Sequence, residues 1–401
     1  MVHIAVIGGG PGGIAFAQQL SKSLSSSSSF SFPFCKVGTI LDVQITVFEK
    51  REFFFHAPGA LRAMVDNSYT PKVLIPFDKV FEGYPNVELK FASVDRIDYD
   101  TKTIHYVSNN QEDTLTNMRY DYLVLATGSS SSSPSKPSAS ITTSKQMMDA
   151  FTSTADNIQK SDRILIVGGG VVGIELAGEL RYTYPDKKII LLDSHGELLS
   201  RQNVPKLREP VKKILLDHDI ELHFNERIKR TDKMGINQFG TQTITTESGL
   251  ELEVDAILWS IGMKPNVELM TDSECISNNR FIKVKPNLEV DSTKEKYQKV
   301  YVIGDASNHP TPKLLFWAMQ QGQHLAKNLA SLIQSNGQTE MTEFTALSSE
   351  ILVIPFGPEG GISQLPLFGG LVVGNYPTKL IKSKDLMADM FWTMMNQEIP
   401  E

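Results

Sequence analysis

Two segments of the chain carry glycines at a spacing that suits the binding of a phosphate group. The glycines of the first segment are Gly8, Gly9, Gly10, Gly12 and Gly13, with Pro11 among them, and those of the second are Gly168, Gly170 and Gly173. In a G-x-G-x-x-G turn the first glycine permits a tight bend, the second lets a pyrophosphate approach the backbone, and the third lets a helix pack on a strand. The N-terminus of the following helix favours an anion. Each turn therefore predicts a dinucleotide site, against the alternative of a glycine turn without a ligand.

An acidic residue follows each turn at the end of the next predicted strand. Asp193 comes 20 positions after Gly173, the usual distance for a carboxylate that binds ribose hydroxyls. Glu49 comes 36 positions after Gly13, and the interval includes a serine-rich patch at residues 25–29, which we interpret as a surface loop. A carboxylate at Asp193 would repel a 2′-phosphate, so NADH is the expected nucleotide and NADPH the alternative.

A strand and a helix must hold each turn in place. The first strand is Val2–Ile7 (VHIAVI), and the helix-prone run IAFAQQLSK follows its turn. The second strand is Arg163–Val167 (RILIV), and its turn leads into IELAGELRYTY and then the strand IILLD. A repeat of this unit is more informative than one copy. The sequence therefore predicts an α/β fold with two Rossmann-like dinucleotide-binding domains and a C-terminal α+β domain.

Composition and charge exclude several other classes of protein. The chain has 401 residues, 41% of them hydrophobic, and a formal net charge of -7, which argues against a nucleic-acid partner. Its two cysteines are too few for a structural zinc site or a disulfide framework, and no metal site is expected. The sequence has no secretory signal and no transmembrane run, and Val2 stands where N-myristoylation needs glycine. We expect a cytoplasmic protein, with attachment to the periphery of a membrane or lipid droplet as the alternative.

Two dinucleotide sites in one chain imply two dinucleotides. The economical pair is FAD on the first turn and a nicotinamide nucleotide on the second, since hydride passes between them. The expected domains are the first part of an FAD-binding domain at 1–133, an NAD(P)-binding domain at 134–282, the second part of the FAD-binding domain at 283–339, and a C-terminal domain at 340–401 that covers the flavin and acceptor site.

Motifs along nearly the whole chain resemble the pyridine nucleotide–disulfide reductase superfamily. They are GGGPGG, ATG, GGGVVGIELAGEL, SIGMKPN and VYVIGDASN, in that order. The chain lacks the CxxC of the disulfide-reducing members, and the segments FFFHAPGALRAMVD and IKSKDL are similar to the apoptosis-inducing-factor-like and ferroptosis-suppressor branch. This resemblance implies an FAD-dependent NAD(P)H:quinone oxidoreductase. A type II NADH dehydrogenase and a flavoprotein that acts mainly through partner binding are the rival functions.

The resemblance also implies roles for particular residues around FAD. Gly8 to Gly12 would hold the pyrophosphate, Glu49 and Lys50 the adenosine, and Val94 the adenine through its backbone. Arg62 would lie beside the flavin, and Lys313 would contact the flavin ring or be a surface lysine.

Asp305 has a reason of its own in the sequence. It follows a buried strand and precedes a predicted helix (VYVIGDASN), which would place its carboxylate toward a ligand. The resemblance implies that Asp305 binds the ribityl or pyrophosphate portion of FAD. A plain helix N-cap is the alternative.

Four further residues carry charge or a titratable ring near the predicted reaction centre. Glu175 follows the second turn by two positions and is a candidate catalytic residue, whereas helix capping is the alternative and the favoured role for Glu179. His56 could relay a proton, although a structural ring among phenylalanines is the favoured interpretation. Lys382 is the second catalytic candidate, working opposite Glu175.

The C-terminal segment combines methionine and aromatic residues. Residues 385–397 read DLMADMFWTMMNQ, with Leu386, Met390 and Met394 at helical spacing. Such a face could hold a quinone or touch lipid, or it could pack on its own core.

Overall fold

The computed structural model describes residues 1–26, 42–109, 114–132, 134–200, 202, 204–229, 232–346 and 351–400. The predicted serine-rich loop lies outside the described residues from position 27 onward. Within the described ranges the strands, in chain order, are β1 (Val2–Ile7), β2 (Val43–Glu49), β3 (Phe53–Phe55), β4 (Leu74–Pro76), β5 (Val87–Asp98), β6 (Thr103–Ser108), β7 (Leu115–Arg119), β8 (Tyr122–Leu125), β9 (Ser129–Ser130), β10 (Arg163–Val167), β11 (Lys188–Leu192), β12 (Ile220–His223), β13 (Gln238–Thr245), β14 (Glu251–Trp259), β15 (Lys264–Pro265), β16 (Val300–Val302), β17 (Leu352–Pro355), β18 (Gly361–Leu365) and β19 (Leu371–Val373).

The α-helices of the same ranges are α1 (Pro11–Ser26), α2 (Ala60–Val65), α3 (Thr70–Val73), α4 (Ser144–Gln159), α5 (Val171–Thr183), α6 (Pro205–Asp217), α7 (Leu315–Gln334), α8 (Asn375–Thr378) and α9 (Ala388–Met394). A short π-helix, Lys379–Ser383, follows α8 directly. None of the described helices is both long enough and apolar enough to cross a bilayer.

The chain forms two compact units, each assembled from separated segments. The first unit comprises Met1–Phe54, Pro76–Ser130 and Lys264–Ala346, and the second comprises Phe55–Ile75, Ser131–Met263 and Leu347–Glu401. Each unit is a part of the chain whose residues contact one another densely. The borders of the three functional domains given above, which occupy four segments of the chain, stay a prediction.

The first unit is built around a seven-stranded sheet in the order β16-β8-β1-β2-β5-β6-β7. The first five strands of that order are parallel, and β6 and β7 add antiparallel pairs. Strand β1 lies at the centre and is fully buried at Ile4, Ala5 and Val6, as expected for a parallel sheet covered on both faces. This strand order places the turn after β1 at the carboxyl edge of the sheet, where α/β proteins bind their ligands.

The second unit repeats this plan on a smaller scale. Its five-stranded sheet has the order β12-β11-β10-β14-β13, in which β13 is the antiparallel strand. Helix α5 follows β10, and every residue from Gly173 to Leu180 is buried. The C-terminal part of this unit adds the antiparallel sheet β17-β18-β19, followed by α8, the π-helix and α9.

A close helix contact in the first unit tests the packing directly. A methyl group added at Gly322 of α7 would lie 2.4 Å from the carbonyl oxygen of Gly12 in α1. We expect Gly322→Ala to lower the free energy of unfolding by about 1 kcal/mol or more, because the backbone clash exceeds the higher helix propensity of alanine. Thermal unfolding measures the change. Ser331→Ala, on the exposed side of α7, is the control and should leave stability nearly unchanged, and an unaltered Tm for Gly322→Ala would contradict the packing.

Candidate functional site

The first glycine turn is closed on its inner side and open at one position. Gly8 has a left-handed backbone with φ +115°, and an added Cβ there would lie 2.3 Å from the carbonyl oxygen of Ala126. At Gly13 an added Cβ would lie 2.0 Å from the Gly8 carbonyl oxygen, so the helix approaches the strand as closely as glycine allows. At Gly10, by contrast, no heavy atom of the described chain lies within 4 Å of such a Cβ. The turn can therefore bring a phosphate against its backbone at Gly10.

The second glycine turn has the same geometry in the second unit. Gly168 has φ +121°, and a Cβ on Gly173 would lie 1.9 Å from the Gly168 carbonyl oxygen. Gly170 again faces open space among the described residues, and it is the N-cap of α5 without a side-chain capping bond. The first amides of α5 are therefore not satisfied by a capping side chain, which is the arrangement that binds a phosphate at a helix N-terminus.

Each of the two carboxylates predicted to bind a ribose accepts a hydrogen bond from a backbone amide of its own glycine turn. The Gly9 amide donates to Oε2 of Glu49 over 2.8 Å. In the second unit the Gly169 amide donates to Oδ2 of Asp193, which is 8% exposed. Each carboxylate is thus fixed at the edge of the turn, in the position expected for ribose recognition.

A histidine that sequence reasoning missed lies against Asp193. The His195 amide donates to Asp193 Oδ1 over 2.7 Å, and His195 Nδ1 lies 2.8 Å from the same oxygen. The local signal was an Asp-x-His sequence at the end of β11, which on its own is too common to select. His195 adds a second polar group beside the predicted ribose contact.

The Asp305 carboxylate is positioned by its own unit. Asp305 lies in the 3₁₀ turn Gly304–Ala306 after β16, and Ser129 Oγ donates to its Oδ2 over 2.6 Å. The expectation of a helix directly after this residue is wrong, since α7 begins at Leu315 with Leu314 as its N-cap. The N-cap alternative for Asp305 therefore fails for α7. The missed residue Gln321 holds the turn, because its Oε1 accepts from the Gly304 amide over 2.7 Å.

Lys313 is largely withdrawn from solvent, unlike an ordinary surface lysine. Its Nζ donates to the His309 carbonyl oxygen over 2.8 Å and lies 5.3 Å from the centre of the Phe281 ring. Burial lowers the Lys313 pKa to about 8, and the nearby Asp305 carboxylate opposes that shift. Contact of Lys313 with a flavin stays a prediction.

Lys50 and Val94, two other residues predicted to contact FAD, belong to the first unit. Burial lowers the pKa of Lys50, which directly follows β2. Val94 pairs with Tyr106 across the antiparallel ladder of β5 and β6. Their contacts with adenosine stay predictions.

The two catalytic candidates meet in the second unit, although 207 positions separate them in the chain. Lys382 Nζ lies 2.7 Å from Oε1 of Glu175, and their side chains are 15% and 11% exposed. Burial raises the pKa of the Glu175 carboxyl, and the Lys382 charge opposes this shift. Glu175 lies past the first turn of α5, which has no acidic residue, so the capping alternative is wrong.

A second buried ion pair involves Arg62 and Glu179. Arg62 Nε and Nη2 donate to the two oxygens of Glu179 over 3.0 and 2.9 Å. The same guanidinium donates to the carbonyl oxygens of Ser383 and Lys384. Glu179 therefore has a structural role, as expected, but as the partner of an arginine and not as a cap. The flavin contact predicted for Arg62 stays a prediction.

His56 is a packed ring in the second unit. It is fully buried, and its ring centre lies 5.0 Å from that of Phe391. Burial, with a smaller contribution from the Lys382 charge, lowers the His56 pKa to about 3, and the Leu386 backbone opposes this shift. The imidazole is therefore neutral at pH 7, which agrees with the structural interpretation.

Residues 385–397 do not form the continuous apolar helical face that was predicted. Leu386 and Met387 have left-handed backbones, with φ +53° and +65°, so α9 begins only at Ala388. Leu386 and Phe391 are buried, whereas Met390 is 41% exposed. Helical spacing from Leu386 was therefore wrong, because the backbone leaves the helical region at that residue.

Comparison with known proteins was made against families, curated relatives and solved structures. Residues 2–322 match the family described as pyridine nucleotide-disulphide oxidoreductase. Apoptosis-inducing factor homolog B of Dictyostelium discoideum is 29% identical, over 99% of this chain and 98% of its own length. Ferroptosis suppressor protein 1 of Homo sapiens is 26% identical, over 100% of this chain and 97% of its own length.

Among solved structures, the sulfide:quinone oxidoreductase of Aquifex aeolicus superposes with a TM-score of 0.71 at 17% identity, over 100% of this chain and 92% of that one. The NADH-bound water-forming NADH oxidase of Lactobacillus brevis gives 0.63 at 17% identity, over 91% and 75%. These comparisons confirm the predicted α/β fold with Rossmann-like domains and the resemblance to the apoptosis-inducing-factor and ferroptosis-suppressor branch.

The Arg62 pair yields a prediction that separates a structural role from a cofactor contact. Arg62→Ala would leave Glu179 buried and unpaired, so we expect the free energy of unfolding to fall by about 3–5 kcal/mol. The double variant Arg62→Met/Glu179→Leu removes both charges, so its free energy of unfolding should fall by less than that of Arg62→Ala. Denaturant unfolding of the flavin-free protein measures both changes.

An exposed pair is the control for this test. Lys213 and Asp217 are 74% and 54% exposed, and Lys213→Ala should change stability by less than about 1 kcal/mol. An Arg62→Ala protein of normal stability that has lost flavin would contradict the structural role and favour the flavin contact.

Proposed function

The chain belongs to the pyridine nucleotide-disulphide oxidoreductase family, and from that premise we propose that it transfers electrons from NAD(P)H to a quinone. Membership of the family makes it an FAD-dependent NAD(P)H oxidoreductase. The quinone acceptor and the preference for NADH are the finer parts of the proposal.

Two kinds of relative support a quinone as the acceptor. The full-length relatives include ferroptosis suppressor protein 1, the branch whose motifs imply quinone reduction in this chain. A structural neighbour that spans the whole chain is a sulfide:quinone oxidoreductase.

The described residues fit the two dinucleotides. The first turn has open space at Gly10 and an anchored carboxylate at Glu49, which suits FAD with Asp305 at a second point of attachment. The second turn has the same open space at Gly170 and the carboxylate of Asp193, which suits NADH. A bound flavin supplies the ability to accept two electrons from a nicotinamide and to pass them to another acceptor. The protein supplies binding, orientation and charge.

The observation that carries the proposal is the buried pair of Lys382 and Glu175. A charge in a site of low dielectric acts more strongly than one in water. Glu175 Oε1 fixes the Lys382 ammonium, and the Val353 carbonyl oxygen lies 3.4 Å from the same nitrogen. Reduction of a quinone adds negative charge and then protons at its oxygens. Lys382 Nζ can donate a hydrogen bond and a proton to such an oxygen, held in orientation by Glu175.

The relative named apoptosis-inducing factor homolog B favours a second candidate, a flavoprotein that acts through partner binding. A type II NADH dehydrogenase is a third. Steady-state NADH oxidation with a soluble quinone separates the binding role from the two enzymes, because a binding protein would retain flavin and show negligible turnover.

Replacing Lys382 tests its role in turnover. We expect Lys382→Met to lower kcat with a soluble quinone about 10²-fold, the loss typical of an electrostatic group that acts at a developing charge. Because Lys382→Met leaves the Glu175 carboxylate without its cation, it should also lower the free energy of unfolding, so FAD content and rate are compared per folded protein. FAD content should then stay normal, and Lys382→Arg, which restores the charge pair, should restore part of the rate. Lys384→Met is the matched control, since the Lys384 side chain is exposed two positions away and its rate should not change. Full quinone turnover by Lys382→Met would remove this residue from the mechanism.

Asp193 tests the nucleotide preference. The fixed carboxylate should repel a 2′-phosphate, so we expect higher kcat/KM for NADH than for NADPH. Asp193→Ser should reduce the ratio of the two constants about tenfold, whereas Asp217→Ser, on the exposed side of α6, should leave it unchanged. Equal kcat/KM for both nucleotides in the unaltered protein would overturn this argument.

A further inference from the structure

The hairpin between β18 and β19 exposes apolar side chains at its tip. Phe368 is 93% exposed, and its neighbours Leu367 and Leu371 are 51% and 39% exposed. The residues of β18 just before the tip, from Gly361 to Gln364, are buried. The apolar side chains of the tip are therefore exposed to solvent, in contrast to the buried residues of β18.

The tip is held in a defined conformation. The amides of Gly370 and Leu371 both donate to the Leu367 carbonyl oxygen, over 3.0 and 2.8 Å. Lys206 Nζ, from α6, donates to the Gly369 carbonyl oxygen over 2.9 Å. Phe368 has φ +50°, a left-handed backbone that a bulky residue rarely adopts. An exposed phenylalanine in a costly conformation is difficult to explain by folding alone.

Further exposed apolar side chains follow the hairpin directly. Tyr376 in α8 is 72% exposed, and Leu380 and Ile381 in the π-helix are 63% and 40% exposed. We refer to Leu367, Phe368, Leu371, Tyr376, Leu380 and Ile381 together as the apolar tip segment. Natural soluble surfaces carry single apolar residues without consequence, but a run of them within one short segment marks an interaction site.

Lysines lie beside the apolar tip segment. The charged residues within 360–384 are Lys379, Lys382 and Lys384, and the acidic residues Glu359 and Asp385 flank this run. Lys379 pairs with Glu359 and Lys382 with Glu175, while the Lys384 side chain is exposed. Lys206 adds a further positive charge beside the tip. An anionic surface is the complementary partner.

We propose that the apolar tip segment inserts into a lipid surface that contains anionic headgroups. Exposed aromatic and aliphatic side chains next to lysines are the combination that binds the boundary between headgroups and acyl chains. The inference deepens the proposed function, because a hydrophobic quinone dissolves in lipid. It assigns lipid contact to the apolar tip segment, whereas residues 385–397 bury Leu386, Phe391 and Met395.

Vesicle binding of the full-length, FAD-loaded protein tests the proposal without a turnover assay. The probes are phosphatidylcholine vesicles alone and the same vesicles mixed with phosphatidylserine, with bound protein measured by flotation. We expect binding to the mixed vesicles, and Phe368→Ser should weaken it at least about tenfold, since a buried phenylalanine side chain contributes that much or more. Lys384→Gln should weaken binding to the mixed vesicles in low salt.

The matched control is Leu216→Ser on α6. Leu216 and Leu367 are each 51% exposed, so Leu367→Ser should weaken vesicle binding and Leu216→Ser should not. All variants should keep the rate with a soluble quinone, which separates failure of this proposal from failure of the quinone assignment. Absence of vesicle binding, or equal binding by Phe368→Ser, would overturn the proposal. A Phe368-dependent dimer in sedimentation, without vesicle binding, would overturn it in favour of self-association.

Discussion

Two carboxylates lie buried four positions apart on α5, and each needs a cation beside it in the second unit. Glu175 and Glu179 are 8% and 3% exposed, and like charges at that spacing repel each other. Removing one cation from such a site leaves an uncompensated buried charge, which is strongly destabilising. The cations Lys382 and Arg62 come from the segments Leu347–Glu401 and Phe55–Ile75, so both ion pairs join separated segments of the second unit. Of the two pairs, that of Lys382 and Glu175 also supplies the charge proposed for turnover.

The two glycine turns have the same geometry in both units. In both units a glycine with positive φ begins the turn, and a later glycine allows the helix to approach the strand. A carboxylate accepts a hydrogen bond from the amide of the residue after the first glycine, which is Gly9 in one turn and Gly169 in the other. The carboxylates differ in their second partner, since Glu49 Oε1 accepts from the Arg51 amide, whereas Asp193 Oδ1 accepts from His195. The backbone of the two turns is thus alike, and the second hydrogen-bond partner of each carboxylate differs.

The features that sequence spacing predicted are local ones. Gly8, Gly13 and Glu49 interact through a single βαβ unit, so their spacing reports their geometry, and the α/β fold followed from the repeat of that unit. The partnership of Arg62 with Glu179 spans 117 positions, and no periodicity in the chain indicates it. The C-terminal helix was predicted too long because hydrophobic spacing does not reveal the left-handed backbones of Leu386 and Met387. The sequence did not indicate the exposure of Phe368 either, since phenylalanine is most often found in the core.

The measurement that tests the central claim most directly is the visible absorption spectrum of the purified protein under anaerobic conditions. The account predicts the spectrum of an oxidised flavin, its loss on addition of NADH in stoichiometric amount, and its return when a soluble quinone is added. The Lys382→Met protein should lose the spectrum with NADH and recover it slowly with the quinone. A flavin that NADH does not reduce, or a reduced flavin that the quinone does not reoxidise, would contradict the account.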